Sequence, residues 1–167
     1  MKRGEAGFTI VELLIAVAIT GAIVAALAMT VTTLIRGSRQ ATEQNGVLPR
    51  VQTVGYWISR DINMARDVTL GGPNGFPLSL IIPVSDNVTS DYQVDYLFDG
   101  DKLKRRQYDS SETLVAETLI TDYIDTDNTK LTPLNPVAGH FELAVRAVIG
   151  NSSLTMSYDI EQRVGLR

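Results

Sequence analysis

The chain has 167 residues, 19 acidic side chains against 15 basic ones (net charge −4), and no cysteine. That length holds one modest domain plus an anchor. The acidic balance argues against a general nucleic-acid binder, which would carry a basic face, and the lack of cysteine removes disulfides and thiolate metal sites.

The first element is a short polar leader, Met1 to Gly7, with the basic pair Lys2 and Arg3. An apolar run follows from Phe8 to Ile35, and it contains one carboxylate, Glu12. A carboxylate in a hydrocarbon-length segment is costly at mid-bilayer and less so near an end, so its presence implies a partner. If the chain is cut after Gly7, Phe8 becomes the N-terminus and Glu12 its fifth residue. A free α-amino group, with a pKa of roughly 8, is mostly cationic at neutral pH. Residues four apart share a helix face, so amine and carboxylate could meet. Between neighbouring helices the same pair would set axial register, and a missing partner away from water is heavily penalised.

The stretch Gly7-Phe8-Thr9-Ile10-Val11-Glu12-Leu13-Leu14 resembles the class III signal of type IV pilins and type II secretion pseudopilins. The resemblance implies that a prepilin peptidase cuts after Gly7 and N-methylates Phe8, and that Glu12 is the subunit-docking carboxylate. Its specific motifs lie in the leader and the apolar run; beyond them the likeness is one of architecture. The alternative is an ordinary signal anchor with lipid-facing Phe and Leu and an incidental Glu12. A cleaved secretory signal fits poorly, because its apolar region is only about 7–15 residues long.

Leu13 to Ile35 carries no charge. At about 1.5 Å per residue it spans roughly 35 Å, enough for a hydrocarbon core of about 30 Å. It is rich in Ala and Thr and contains Gly21; small residues let helices approach, and Thr can bond within its helix or to a neighbour. Gly21 is a candidate weak point on assembly. Arg36 and Arg39 flank the far end, so basic residues alone do not orient the span; the resemblance implies a cytoplasmic leader.

From Arg36 an amphipathic helix is expected to about residue 70. Val47, Val51, Val54, Ile58, Ile62 and Ala65 recur at three- and four-residue steps, which makes an apolar stripe. Gly55 lies beside it and would allow a sheet to approach closely. Gly46 and Pro49 predict a kink or short break within the helical region. The segment Tyr56-Trp57-Ile58-Ser59-Arg60-Asp61-Ile62 weakly resembles the corresponding helix of minor pilins and J-type minor pseudopilins. Trp57, off the stripe's centre, would wedge against a loop of its own domain or meet a neighbouring subunit.

Gly71-Gly72-Pro73-Asn74-Gly75 is the clearest breaker. It reads as a connecting loop, because no helix with Lys-Ser or Lys-Thr follows as a phosphate loop requires. The rest reads as strands. Leu78 to Val84 is one. Tyr92 to Phe98 and Lys102 to Tyr108 form a hairpin about Asp99-Gly100-Asp101. Thr113 to Ile124 gives one strand or two. Thr126 to Gly139 reads as a polar loop. Phe141 to Ile149 and Leu154 to Ile160 alternate about Gly150-Asn151-Ser152-Ser153. The expected fold is α+β: a long N-terminal helix, transmembrane then amphipathic, packed on an antiparallel sheet. This is also the layout of the pilin family. The organisation is a leader at 1–7, a transmembrane and filament-core helix at 8–35, an amphipathic helix at 36–70, and a β-rich extracytoplasmic region at 71–167 that forms one globular domain with that helix.

Little chemistry is marked. His140 is the sole histidine, and without cysteine a zinc site is disfavoured. No Gly-x-Ser-x-Gly elbow is present, and no enzyme is expected. Asp122, Asp125 and Asp127 are weak calcium candidates, and the family resemblance adds that some pseudopilins hold calcium in a loop. Asp and Asn are equally the ordinary residues of turns, and no cofactor is expected. Lys104-Arg105-Arg106 is the basic cluster; on a strand Arg105 faces opposite to the other two, so a solvated face is expected ahead of a DNA contact. Asn87-Val88-Thr89 and Asn151-Ser152-Ser153 match the glycosylation sequon.

The chain thus reads as a structural subunit, a minor pseudopilin or pilin, of an extracytoplasmic filament. The partners implied by the resemblance are the prepilin peptidase, other pilins or pseudopilins, an inner-membrane assembly platform and the membrane itself, with no small-molecule substrate. The protein would cross the membrane once, leader cytoplasmic and C-terminal domain extracytoplasmic, before entering the filament. Type II secretion and a type IV pilus or DNA-uptake filament both remain open, although Glu12 argues against the tip pseudopilin type that lacks this carboxylate. A rival of another class is a membrane-tethered binding module that never polymerises.

Overall fold

The computed structural model describes residues 9–84, 91–135 and 138–163. Among the described residues one helix, α1 (Ile10–Met64), precedes eight strands: β1 (Asp67–Leu70), β2 (Leu78–Ile82), β3 (Tyr92–Asp99), β4 (Lys102–Tyr108), β5 (Leu114–Thr121), β6 (Lys130–Asn135), β7 (His140–Ile149) and β8 (Ser152–Glu161). The chain divides into two units, residues 1–42 and 43–167, and α1 contributes to both.

In the first unit every described residue is exposed. The helix there is long and apolar enough to cross a membrane. Its threonines satisfy themselves: the hydroxyls of Thr20, Thr30, Thr32 and Thr33 donate to the carbonyls of Ala16, Ala26, Ala28 and Met29 at 2.6–2.9 Å. Within the apolar span Leu13 to Ile35 every threonine hydroxyl therefore has an acceptor on its own helix, as hydrocarbon requires.

In the second unit all strand pairing is antiparallel. One sheet has the order β1-β2-β3-β4-β5 and the other β6-β7-β8. The α1 stripe is buried as the spacing predicts: Val47, Val51, Val54, Ile58 and Ile62 are at most 2% exposed. It packs in one apolar cluster with Leu78, Leu80, Val94 and Tyr96 of the first sheet and with Leu143, Val145 and Ile160 of the second. The α+β architecture, a long helix on antiparallel sheets, is as expected from the sequence.

The segment after β5 joins the two sheets. Ile124 N–H donates to Asp101 O at 2.8 Å on the β3–β4 turn. Ile124 also bridges Ala147 of β7, with Asp125 N–H bonded to Arg146 O and Val148 N–H to Tyr123 O, both at 2.9 Å. At the C-terminal end of β8, the Gln162 side-chain amide donates to the carbonyls of Ala65 and Arg66, closing the end of α1.

Two local expectations are corrected. The helix stops at Met64, and residues 67–70 form β1. Val68 and Leu70 turn inward, and pairing with β2 from Asp67↔Ile81 to Leu70↔Leu78 outweighs any continuation of the helix. The polar loop expected over Thr126 to Gly139 contains β6, in which Leu131 is buried and Pro133 sits opposite Phe141. β6 is an edge strand, where a residue without an N–H is tolerated. Where the sequence predicts a kink or short break, α1 remains helical through Gly46 and Pro49. Pro49 and Asn45, whose carbonyl loses its usual donor, are both exposed, so water can satisfy that carbonyl.

Candidate functional site

The first turn of α1 is set by Thr9. Its hydroxyl oxygen accepts the N–H of Glu12 at 3.3 Å and its carbonyl accepts Leu13 N–H at 3.2 Å, the arrangement of a helix N-cap. Glu12 is thereby fixed in the first turn, exposed, where the helix dipole favours a negative charge. Gly7 and Phe8 lie outside the described residues, as does the sequon at Asn87. The helix continues from Glu12 with Leu13, Leu14 and Ile15 exposed. Beyond the helix's own backbone, a Cβ added at Gly21 would meet nothing within 4 Å. This first unit thus presents a capped carboxylate followed by an uncharged apolar surface.

The second unit carries a buried polar site that sequence reasoning missed. Asp61 is 1% exposed. Its Oδ2 accepts from Tyr96 Oη of β3 and from Arg105 Nε of β4, both at 2.7 Å. Burial pushes the Tyr96 hydroxyl above the ordinary phenol range, and the Asp61 carboxylate adds to the shift. Burial is the largest single influence on Arg105 and works against its charge, but the bond and charge attraction to Asp61, joined by Tyr96, together outweigh it and hold its pKa above the usual value. Trp57 lies over this pair, with the Arg105 guanidinium 5.7 Å and that of Arg60 5.6 Å from its ring centroid. Trp57 therefore packs against a strand residue of its own domain. The signal was present: Asp61 keeps the stripe's rhythm of alternating three- and four-residue steps from Val47 to Ala65, so a carboxylate was pointing inward.

The basic cluster divides as strand alternation predicts. Arg105 turns in to Asp61. Lys104 pairs with Asp99 at 2.7 Å and Arg106 with Glu117 at 2.6 Å. The bond from Lys104 draws the Asp99 carboxyl below its usual range, and the bond from Arg106 does the same for Glu117.

The three aspartates of the β5–β6 connection are held apart by separate partners. Asp122 accepts Arg50 Nε at 2.9 Å, and the same guanidinium lies 5.0 Å from the Tyr123 ring centroid. Asp125 accepts from the backbone and side chain of Asn128. The Asp127 side is exposed, with its carbonyl facing Asn74. Among the described residues no three His, Cys, Asp or Glu side chains group as metal ligands would. His140 Nε2 is bonded to Asp159 Oδ1 across β7 and β8.

Gly55 brings sheet and helix together, as its position beside the stripe predicts. The Tyr158 ring lies against it, and the Tyr158 hydroxyl donates to Val51 O at 3.1 Å.

No curated protein and no solved structure matches the chain. The prokaryotic N-terminal methylation motif matches residues 2–28, the stretch that holds Thr9, Glu12 and the start of the exposed apolar helix. That motif implies processing by a prepilin peptidase and assembly with other pilins, and it supports a type IV pilin-like subunit anchored by a single N-terminal helix.

Proposed function

We propose that the chain is a minor pseudopilin, resembling the J-type, of a type II secretion filament. The observation that carries this reading is the methylation motif over residues 2–28 running directly into a helix whose surface is apolar and exposed. Prepilin peptidase cuts between Gly7 and Phe8 and methylates the new amine. Before assembly α1 anchors the protein in the membrane, with the leader cytoplasmic and the β-rich domain outside. In the filament, Glu12 of one subunit meets the Phe8 amine of another while the apolar helices bundle. An ion pair removed from water is stabilising only when its partner is in place, which makes the pair a register device. The proposed role is structural.

Pairing within Lys104-Arg105-Arg106 favours secretion over DNA uptake. All three cations are engaged by Asp99, Asp61 and Glu117, so this strand offers no free basic row for phosphates, which such contacts need. A minor pilin of a type IV pilus is the second reading.

The test is the intact mass of the protein from membranes with and without active prepilin peptidase. Loss of Met1 to Gly7 with gain of one methyl group, only when the peptidase is active, is expected. An unprocessed chain in both would leave the tethered-module reading. Deleting the gene and scoring exoprotein release against DNA uptake separates the two machines.

A further inference from the structure

β8 is an outer strand: β7 pairs along one side, and no other described strand pairs along the other. Its free edge is ten residues long. Long edges are normally blunted by proline, lysine or a bulge. β8 contains neither proline nor lysine, its charged residues Asp159 and Glu161 are confined to its C-terminal end, and its register with β7 is unbroken from Ile149↔Ser152 to His140↔Glu161. β5, another edge, is different, because its pairing with β4 shifts register twice.

Beside β8 runs a groove of about 480 Å³, walled by α1 and floored by the strand, with Gln52, Gly55, Tyr56, Ser59, Arg60 and Tyr158 along it. Its surface is mostly apolar. The cation on it is Arg60, exposed and held over the Trp57 ring. Among the described residues no carboxylate lies within ion-pair distance of Arg60; the adjacent Asp61 is committed to Arg105 and Tyr96.

We infer that β8 and this groove take an extended segment of another protein as an added strand, with apolar side chains at alternate positions in the groove and a carboxylate on Arg60. Strand addition uses the free backbone groups for affinity and alternate side-chain pockets for specificity. The volume is in the range of about 300–1,000 Å³ typical of ligand pockets. Charge decides between a foreign segment and a second copy. On β8 Met156 and Tyr158 line the groove; Leu154 and Ile160 share their face by alternation, none of the four is acidic, and Asp159 and Glu161 lie on the opposite face. Pairing two β8 edges would therefore leave each Arg60 without an anion. This inference is independent of the filament reading.

The test uses the full chain in detergent micelles with two N-acetylated, C-amidated peptides of alternating valine and threonine, one ending in aspartate and one in lysine. The acidic peptide should bind about tenfold tighter and slow hydrogen exchange at β8 amides. Arg60→Glu should reverse the preference, and Ser59→Trp, which fills the groove, should abolish binding of both. Equal affinity for the two peptides, no binding, or protection at β5 in place of β8 would overturn the inference. So would a peptide-independent dimer that protects β8, since it would assign the edge to a second copy.

Discussion

Tyr158 lies so close over Gly55 that a Cβ on residue 55 would sit 2.2 Å from Tyr158 Cζ. The ring has little freedom to retreat, because its hydroxyl is bonded to Val51 O on the same helix. Gly55→Ala gains about 1 kcal/mol of helix propensity, against an overpacking cost of about 1–3 kcal/mol. The clash should win, lowering the denaturation midpoint of the full chain in micelles. Trp57, the sole tryptophan, reports the transition by fluorescence. Adding Tyr158→Ala should remove most of the penalty of Gly55→Ala, giving a coupling that two independent sites would not show.

Asp61 and Arg105 predict a second asymmetry. Asp61→Ala leaves the Arg105 guanidinium, only 13% exposed, without its anion. Breaking such a pair from one side costs about 3–5 kcal/mol, whereas replacing both partners by apolar groups is often near neutral. Asp61→Ala should therefore destabilise severely, and Asp61→Leu with Arg105→Met should recover most of the loss. Equal destabilisation by the single and double variants would show that the pair is not what holds β4 to α1.

These two contacts differ in how far the sequence discloses them. The stripe from Val47 to Ala65 and the alternation of β7 and β8 are local periodicities, so the helix, both hairpins and the close approach at Gly55 were legible. Asp61 also lies on the stripe's rhythm, but its partner is 44 residues away, and only the folded sheet selects Arg105 over Lys104 or Arg106. β1 is four residues long and directly follows a helix, so its pattern is too short to compete with helical spacing. In β6 Leu131 alone is buried, which leaves no alternation to read. At the candidate assembly site, Glu12 was conspicuous as the carboxylate of an apolar run, whereas the bond between Thr9 and Glu12 that fixes its place follows from cap geometry.

Tyr96 makes the domain sensitive to alkali. Its folded pKa is raised by burial and by Asp61 above the unfolded value of about 10. The associated stability is fully present below that value and is lost as pH rises through the folded pKa. The unfolding midpoint should begin to fall as pH rises above about 10, and Tyr96→Phe should reduce the fall. On the acid side the sign is opposite. Asp99 and Glu117 have lowered pKa values, so what they contribute is present above about pH 4 and is lost as pH falls through their folded values.

Glu12 separates assembly from anchoring. The helix cap places it in the first turn, exposed, ahead of an uncharged span. Glu12→Ala removes a charge from an apolar segment, so membrane insertion should be unimpaired or improved, and leader cleavage should proceed because the Gly7-Phe8 bond is intact. Filament entry should fail. Removing one partner of an ion pair away from water costs about 3–5 kcal/mol, which corresponds to more than about a hundredfold in an assembly equilibrium. The processed variant should thus accumulate in the membrane fraction and be missing from sheared or crosslinked filaments. Glu12→Asp keeps the charge on a shorter arm and should recover part of the yield. A helix that only anchors a binding module predicts the reverse: Glu12→Ala and wild type would distribute alike between membrane and filament fractions, and the carboxylate would have no assembly role.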